Sequence, residues 1–276
     1  MAGGTASLPI GVFDSGLGGL TVLKALQTQL PNESLIYYGD TAHLPYGDKS
    51  PATVRGYVAK IVAWLVAQPV KLIVVACNTA SAVGIDRIRE VAGPVPVVEV
   101  VGPAVAAAIA TAPRGHIGVI ATKTTIGSQI YPRHLHQLSP EVQVVAKATP
   151  LLVPMIEEGV GLQTQIADQV IAYYLDDPAF EAVDVLVLGC THYPLIRSRI
   201  EQYLAGKGRS PVRVIDAAEP TAATVAGVLA ERQLATPSTQ PGRVRFVVSD
   251  RGEPFVQSAT LFFGQPIELE EVKFES

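Results

Sequence analysis

The chain has 276 residues, of which 48% are hydrophobic and 17% charged, with a net charge of −4. That length exceeds one domain of about 100–200 residues and predicts two, with apolar material for substantial cores and no signature of disorder. Lysines and arginines form no cluster, which leaves a nucleic acid or an anionic membrane without an electrostatic footprint.

The first residues, MAGGTASLPI, carry neither the basic nor the apolar segment of a signal peptide. Short β-branched runs then recur at 8–13, 34–39, 71–76, 96–101, 116–121, 142–146, 184–189 and 212–215. Continuous rather than alternating runs suit strands covered on both faces of a parallel sheet. Helical patterns separate them: 20–29 follows the first strand, 51–67 precedes the third, and 164–174 precedes the strand ending at 189. The most membrane-like window, 91–113, holds Glu99 and four prolines and divides into a strand, a turn and an Ala-rich helix. No membrane span is expected there. A helix over 221–232 and a tail beginning VRFVVSD complete the chain. Strand–helix alternation of this kind predicts an α/β fold with doubly wound parallel sheets.

The two halves resemble each other. Ile10-Gly11-Val12 recurs as Ile117-Gly118-Val119, Cys77 as Cys190, and Pro103 as Pro220, in the same order and at similar separations. This pattern predicts an internal duplication: two similar domains related by pseudo-symmetry. Each proline lies just after a strand and just inside a helix, where its fixed φ and missing N–H are tolerated. The chain is expected to cross between domains near 100 and 216. The first domain is then 1–100 plus 216–276, and the second is 101–215.

The cysteines sit in near-twin settings, VKLIVVACNTAS and VDVLVLGCTHYP, each at the end of an apolar run and before small polar residues. Ligands of doubly wound sheets bind beyond the carboxyl ends of the strands. The candidate loops are Asp14-Ser15-Gly16, Cys77-Asn78-Thr79, 122–125 and Cys190-Thr191-His192. Hydroxyls, amides and backbone N–H groups there suit a small charged molecule. In DSGLGG the glycines at 16, 18 and 19 miss the dinucleotide spacing, and a tight strand-to-helix turn accounts for them better.

A free thiol has a pKa of about 8.5, close enough to neutrality for proton transfer. His192 could polarise or deprotonate Cys190. A carboxylate beside a thiol disfavours the thiolate, so Asp14 would serve Cys77 as a proton acceptor. Asp40 to Gly47 reads as a turn or as the lip of a pocket, with Tyr46 and the Gly47 backbone closing over a ligand. Glu157 and Glu158 read as a solvated helix end. Two cysteines make no disulfide framework, no zinc-ligand spacing occurs, and the expected compartment is the cytoplasm.

Together, FDSGLGGLTV, YYGDTAHLPYG, ACNTAS and GCTHYP resemble the cofactor-independent aspartate/glutamate racemase family over nearly the whole chain. The PYG loop with DSGLGG favours its glutamate-specific members. The resemblance implies an active site in the cleft between two domains, interconversion of L- and D-glutamate, and neither pyridoxal phosphate nor metal. By motif, Cys77 and Cys190 would be the acid/base groups on opposite faces of the α-carbon. Asp14, Ser15, Tyr46, Gly47, Asn78, Thr79, Thr191 and His192 would meet substrate, and Glu157 would partner the histidine, with Glu158 leaving that register open. A role in supplying D-glutamate for bacterial peptidoglycan is implied as well. The oligomeric state stays open, homodimers being frequent in the family.

Two rival readings remain at this point. One is a relative that acts on aspartate or another amino acid; the other is a binding protein for a small anion, with inert cysteines. A thiol redox protein fits poorly, since no C-x-x-C occurs.

Overall fold

Strand and helix alternate along the computed structural model, which describes residues 3–159, 165–207, 211–252, 259–260 and 262–274. A short α1 (Gly3–Ala6) precedes β1 (Ile10–Asp14), α2 (Leu20–Gln29) and β2 (Leu35–Gly39). Then come α3 (Pro51–Ala67), β3 (Leu72–Val75), α4 (Asn78–Ala92), β4 (Val97–Glu99) and α5 (Val101–Thr111). The next stretch contains β5 (His116–Ala121), α6 (Lys123–Gly127), α7 (Ile130–Leu138), β6 (Gln143–Ala148), α8 (Leu152–Glu157) and α9 (Gln165–Leu175). It is followed by β7 (Val185–Gly189), α10 (Arg197–Ala205), β8 (Arg213–Asp216), α11 (Ala218–Glu231), β9 (Val244–Val248) and β10 (Leu269–Glu271).

Two sheets result, of order β10-β9-β2-β1-β3-β4 and β6-β5-β7-β8. Every pairing in them is parallel. Removing β9 and β10 leaves β2-β1-β3-β4 in the first sheet, the same winding as β6-β5-β7-β8 in the second. The repeated Ile-Gly-Val therefore occupies equivalent strands, β1 and β5, and the two cysteines follow equivalent strands, β3 and β7.

Strand periodicity explains the continuous apolar runs. In the first sheet Ile10, Val12, Leu35, Tyr37, Leu72 and Val74 point to one core. Phe13, Ile36, Tyr38, Ile73 and Val75 point to the other. Alternate side chains leave opposite faces of a strand, and both faces here are covered by helices. The first core continues into the second sheet through Ile117, Val119, Val185 and Val187.

All eight expected strands form, with small shifts. The strand expected over 96–101 stops at Glu99, whose carboxylate accepts the N–H groups of Val101 and Gly102 at 2.6 and 2.8 Å. That cap starts α5 at once, without the expected turn. Helix α11 begins at Ala218 rather than 221, because Asp216 Oδ1 accepts the Ala218 N–H at 2.9 Å and Pro220 fits the first turn. The helix expected over 164–174 is Gln165–Leu175, residue 164 lying outside the described residues. Helix α3 has the expected bounds, with Ser50 accepting the Thr53 N–H and Pro51 at its first position. Among the described residues no helix is long and apolar enough to cross a membrane.

Candidate active site

The carboxyl ends of the two sheets share one cleft. It is lined from the first domain by Ser15, Gly16, the 44–48 lip, Cys77, Asn78 and Thr79. From the second come Thr122, Lys123, Thr149, Pro150, Val153, Pro154, Glu157, Cys190, Thr191 and His192. Each cysteine arrives by the same route, at the end of a buried central strand where the chain turns into a helix. Both are free and buried.

Cys77 caps α4. Its Sγ accepts the Ala80 N–H at 3.4 Å, and its carbonyl accepts the Ser81 hydroxyl at 2.9 Å. Asn78 and Thr79 thus fall in the first turn of a 15-residue helix, where backbone N–H groups and the helix dipole favour anions. Burial, reinforced by nearby Asp14, pushes the Cys77 thiol up to about 12 although Ala80 N–H and Ser15 favour its thiolate. At neutral pH the Cys77 thiol therefore keeps its proton.

Cys190 has a different neighbour. Its Sγ lies 3.8 Å from His192 Nδ1, and His192 Nε2 lies 3.0 Å from Glu157 Oε1. Burial works against the imidazolium, but contacts with Cys190 and Glu157 outweigh it and hold His192 up at about 10. The register left open between two glutamates is resolved: Glu157 meets the histidine, and Glu158 is the exposed C-cap of α8.

Asp14, expected to meet a ligand, has its carboxylate held by its own turn. It is wholly buried and is not among the residues lining the cleft. Its Oδ2 accepts the N–H groups of Gly16 and Gly19 at 3.1 and 3.0 Å, and Thr191 Oγ1 approaches Oδ1 at 3.5 Å. The carboxylate folds back on its own turn because that turn offers unpaired N–H donors. Burial raises its pKa, opposed by His192 and by those N–H groups. Its charge is in turn one of the causes that raise the Cys77 thiol.

The DSGLGG turn serves contact across the cleft. A Cβ on Gly18 would lie 2.4 Å from Thr191 Oγ1 and 2.5 Å from His192 Nδ1. Only a residue without a side chain lets the Cys190 loop settle there. The lip obeys the same rule, since a Cβ on Gly47 would lie 2.7 Å from Thr122 Cβ. Thr124 Oγ1 donates to the Gly47 and Lys49 carbonyls at 2.8 and 3.1 Å, and Lys123 Nζ approaches Asp48 at 3.4 Å. Tyr46 lines the cleft, but its hydroxyl donates to buried Asp40 at 2.5 Å, so the lip presents its ring and main chain.

Deeper in, Thr79, Thr122 and Thr125 join their hydroxyls at 3.0–3.2 Å across the domains. Of the residues expected by motif to meet substrate or carry its chemistry, all but Asp14 line the cleft. Sequence reasoning did not single out Thr149 or Val153. Strand β6 runs to Ala148 rather than 146, so the strand-end rule applied there identifies Thr149. Val153 offers only an apolar helix residue. Among the described residues no group of three or more His, Cys, Asp or Glu side chains could hold a metal.

Comparison with known proteins decides the family. The model of the Asp/Glu/Hydantoin racemase family matches residues 10–225. This chain belongs to that family. Membership makes it an isomerase whose relatives invert a carbon centre. A glutamate racemase of Neisseria meningitidis serogroup A is 42% identical over 260 residues, 94% of each chain. Glutamate racemase from Francisella tularensis, solved in complex with D-glutamate, superposes with a TM-score of 0.90 at 37% identity, covering 97% of this chain and 98% of that one. The Thermus thermophilus enzyme, solved with beta-chloro-D-alanine, gives 0.84 at 40% identity over 97% and 98%.

Proposed function

We propose that this protein interconverts L- and D-glutamate by moving a proton between Cys77, Cys190 and the substrate α-carbon. One observation carries the reading: two free thiols, delivered by equivalent strands of two domains, line one cleft. The named activities of relatives at about 40% identity supply the substrate.

Racemisation removes a proton from one face of a tetrahedral carbon and returns one to the other. A single fixed base tends to give its proton back to the original side. Two sulfurs solve this when one is thiolate and the other thiol. The thiolate takes the α-proton, the electron pair stays on carbon and its carboxylate, and the opposite thiol delivers its own proton. The two sulfurs end with exchanged protonation, ready for the reverse direction.

The α-proton is very weakly acidic, so fixed dipoles must meet the charge that develops. The N-terminus of α4, with Asn78 and Thr79 in its first turn, supplies them on the Cys77 side. Thr191 and His192 supply donors on the other, where Glu157 holds the imidazole ring toward Cys190. The lip, held at Gly47 and Lys49 by Thr124, covers one side of the cleft and limits competing water.

On the family's account, the D-glutamate formed enters peptidoglycan synthesis in the cytoplasm. Cys77→Ser and Cys190→Ser should each lower racemisation by about 10²–10⁴-fold, the usual worth of a positioned acid/base. Each should still bind D-glutamate by calorimetry. Full turnover in either variant contradicts the two-base reading.

A further inference from the structure

One buried donor in the cleft lacks a partner. Asn78 is 3% exposed and lines the cleft, and its Nδ2 makes no hydrogen bond among the described residues. Buried amide donors are rarely left so unless something outside the fold completes them. A carboxylate of a bound amino acid is the complementary acceptor.

The other end of the same amide is engaged. Asn78 Oδ1 accepts the Tyr131 hydroxyl at 2.6 Å. Tyr131 lies on α7 of the second domain, is 1% exposed, and is not among the residues that line the cleft. Its ring fits behind Asn78 because Gly189 leaves room; a Cβ there would come within 3.1 Å of Tyr131 Cε2. Burial first, then nearby Glu99 and Cys190, hold this phenol far above the usual tyrosine range, so it keeps the proton that it directs at Asn78 Oδ1.

The two ends of an asparagine amide have nearly the same shape and opposite hydrogen-bonding character. Rotated by half a turn, Asn78 would offer its carbonyl oxygen to an anionic substrate and repel it. We propose that Tyr131 is a positioning residue: reaching across the domain boundary, it fixes the Asn78 amide with its N–H groups toward the substrate carboxylate. The inference rests on the glutamate reading above and adds to it a residue that never touches substrate.

The test is a double-mutant cycle with Tyr131→Phe and Asn78→Ala, measured as glutamate racemisation with thermal unfolding as a check on folding. Tyr131→Phe should lower kcat/KM roughly tenfold to hundredfold, as expected for one oriented buried hydrogen bond. In the Asn78→Ala background the same substitution should cost nothing further, because Tyr131 acts only through that amide. A merely structural tyrosine would instead give additive losses, which overturns the proposal, as does an unimpaired Tyr131→Phe enzyme. If that variant fails to fold, the wild-type protein serves. Its Asn78 side-chain amide protons should shift on titration with D-glutamate in nitrogen-15 NMR, and protons that stay put overturn the assignment. The titration needs binding alone, so it separates failure of this inference from failure of the racemase reading.

Discussion

His192 carries its charge in a place where burial by itself would neutralise it. Its pKa of about 10 in the fold lies above the roughly 6.5 of an unfolded chain. Between those values the folded protein keeps a proton that the unfolded one releases. Its contribution to stability is therefore complete below about pH 6.5 and is lost as pH rises through 10. Cys77, raised by burial and Asp14 to about 12, acts in the same direction from about pH 8.5 upward. Denaturant unfolding across pH 6–10 should show stability falling with pH, and Glu157→Gln should flatten that fall by removing one support of the imidazolium. Parallel curves for the two proteins would contradict this account of the histidine. Asp14 shows where residue-level reading runs out. Position at a strand end was visible in the chain, but not that its carboxylate turns back to its own glycine N–H groups.

At the scale of elements, burial on both faces made the strands legible: unbroken runs such as LIVV and VLVLG have no face to give to water. Caps set the boundaries that periodicity missed, as Glu99 does for α5 and Asp216 for α11. Less legible is how the amino ends of the first sheet are fastened. Lys71, just before β3, pairs with Glu33, just before β2, at 2.5 Å, with both side chains almost fully buried. Lys71 also donates to the Ala6 carbonyl, and Glu33 Oε1 accepts the Thr236 N–H. Removing one partner of such a pair leaves a buried charge uncompensated. Lys71→Met should cost about 3–5 kcal/mol in denaturant unfolding. Adding Glu33→Leu should recover much of it, since an apolar pair of similar volume has no charge to desolvate. A neutral single substitution would show that the pair is not held dry.

Across the whole molecule, function follows from using one winding twice. Equivalent strands β3 and β7 carry Cys77 and Cys190 to the same cleft, and their twin sequence settings point to that placement. What the chain could not announce is the contact made by packing one domain against the other. Tyr131 reaches Asn78 across 53 residues, and Thr124 holds the lip at Gly47 across 77. No local pattern encodes such pairs. The measurement that tests the two-sulfur cleft most directly is racemisation of L-glutamate in deuterium oxide, followed from the first turnovers. The D-glutamate formed should carry deuterium at its α-carbon while the remaining L-glutamate is still unlabelled, because separate groups serve the two faces. Product that keeps the original hydrogen, or label entering the remaining L-glutamate as fast as the product, would contradict it.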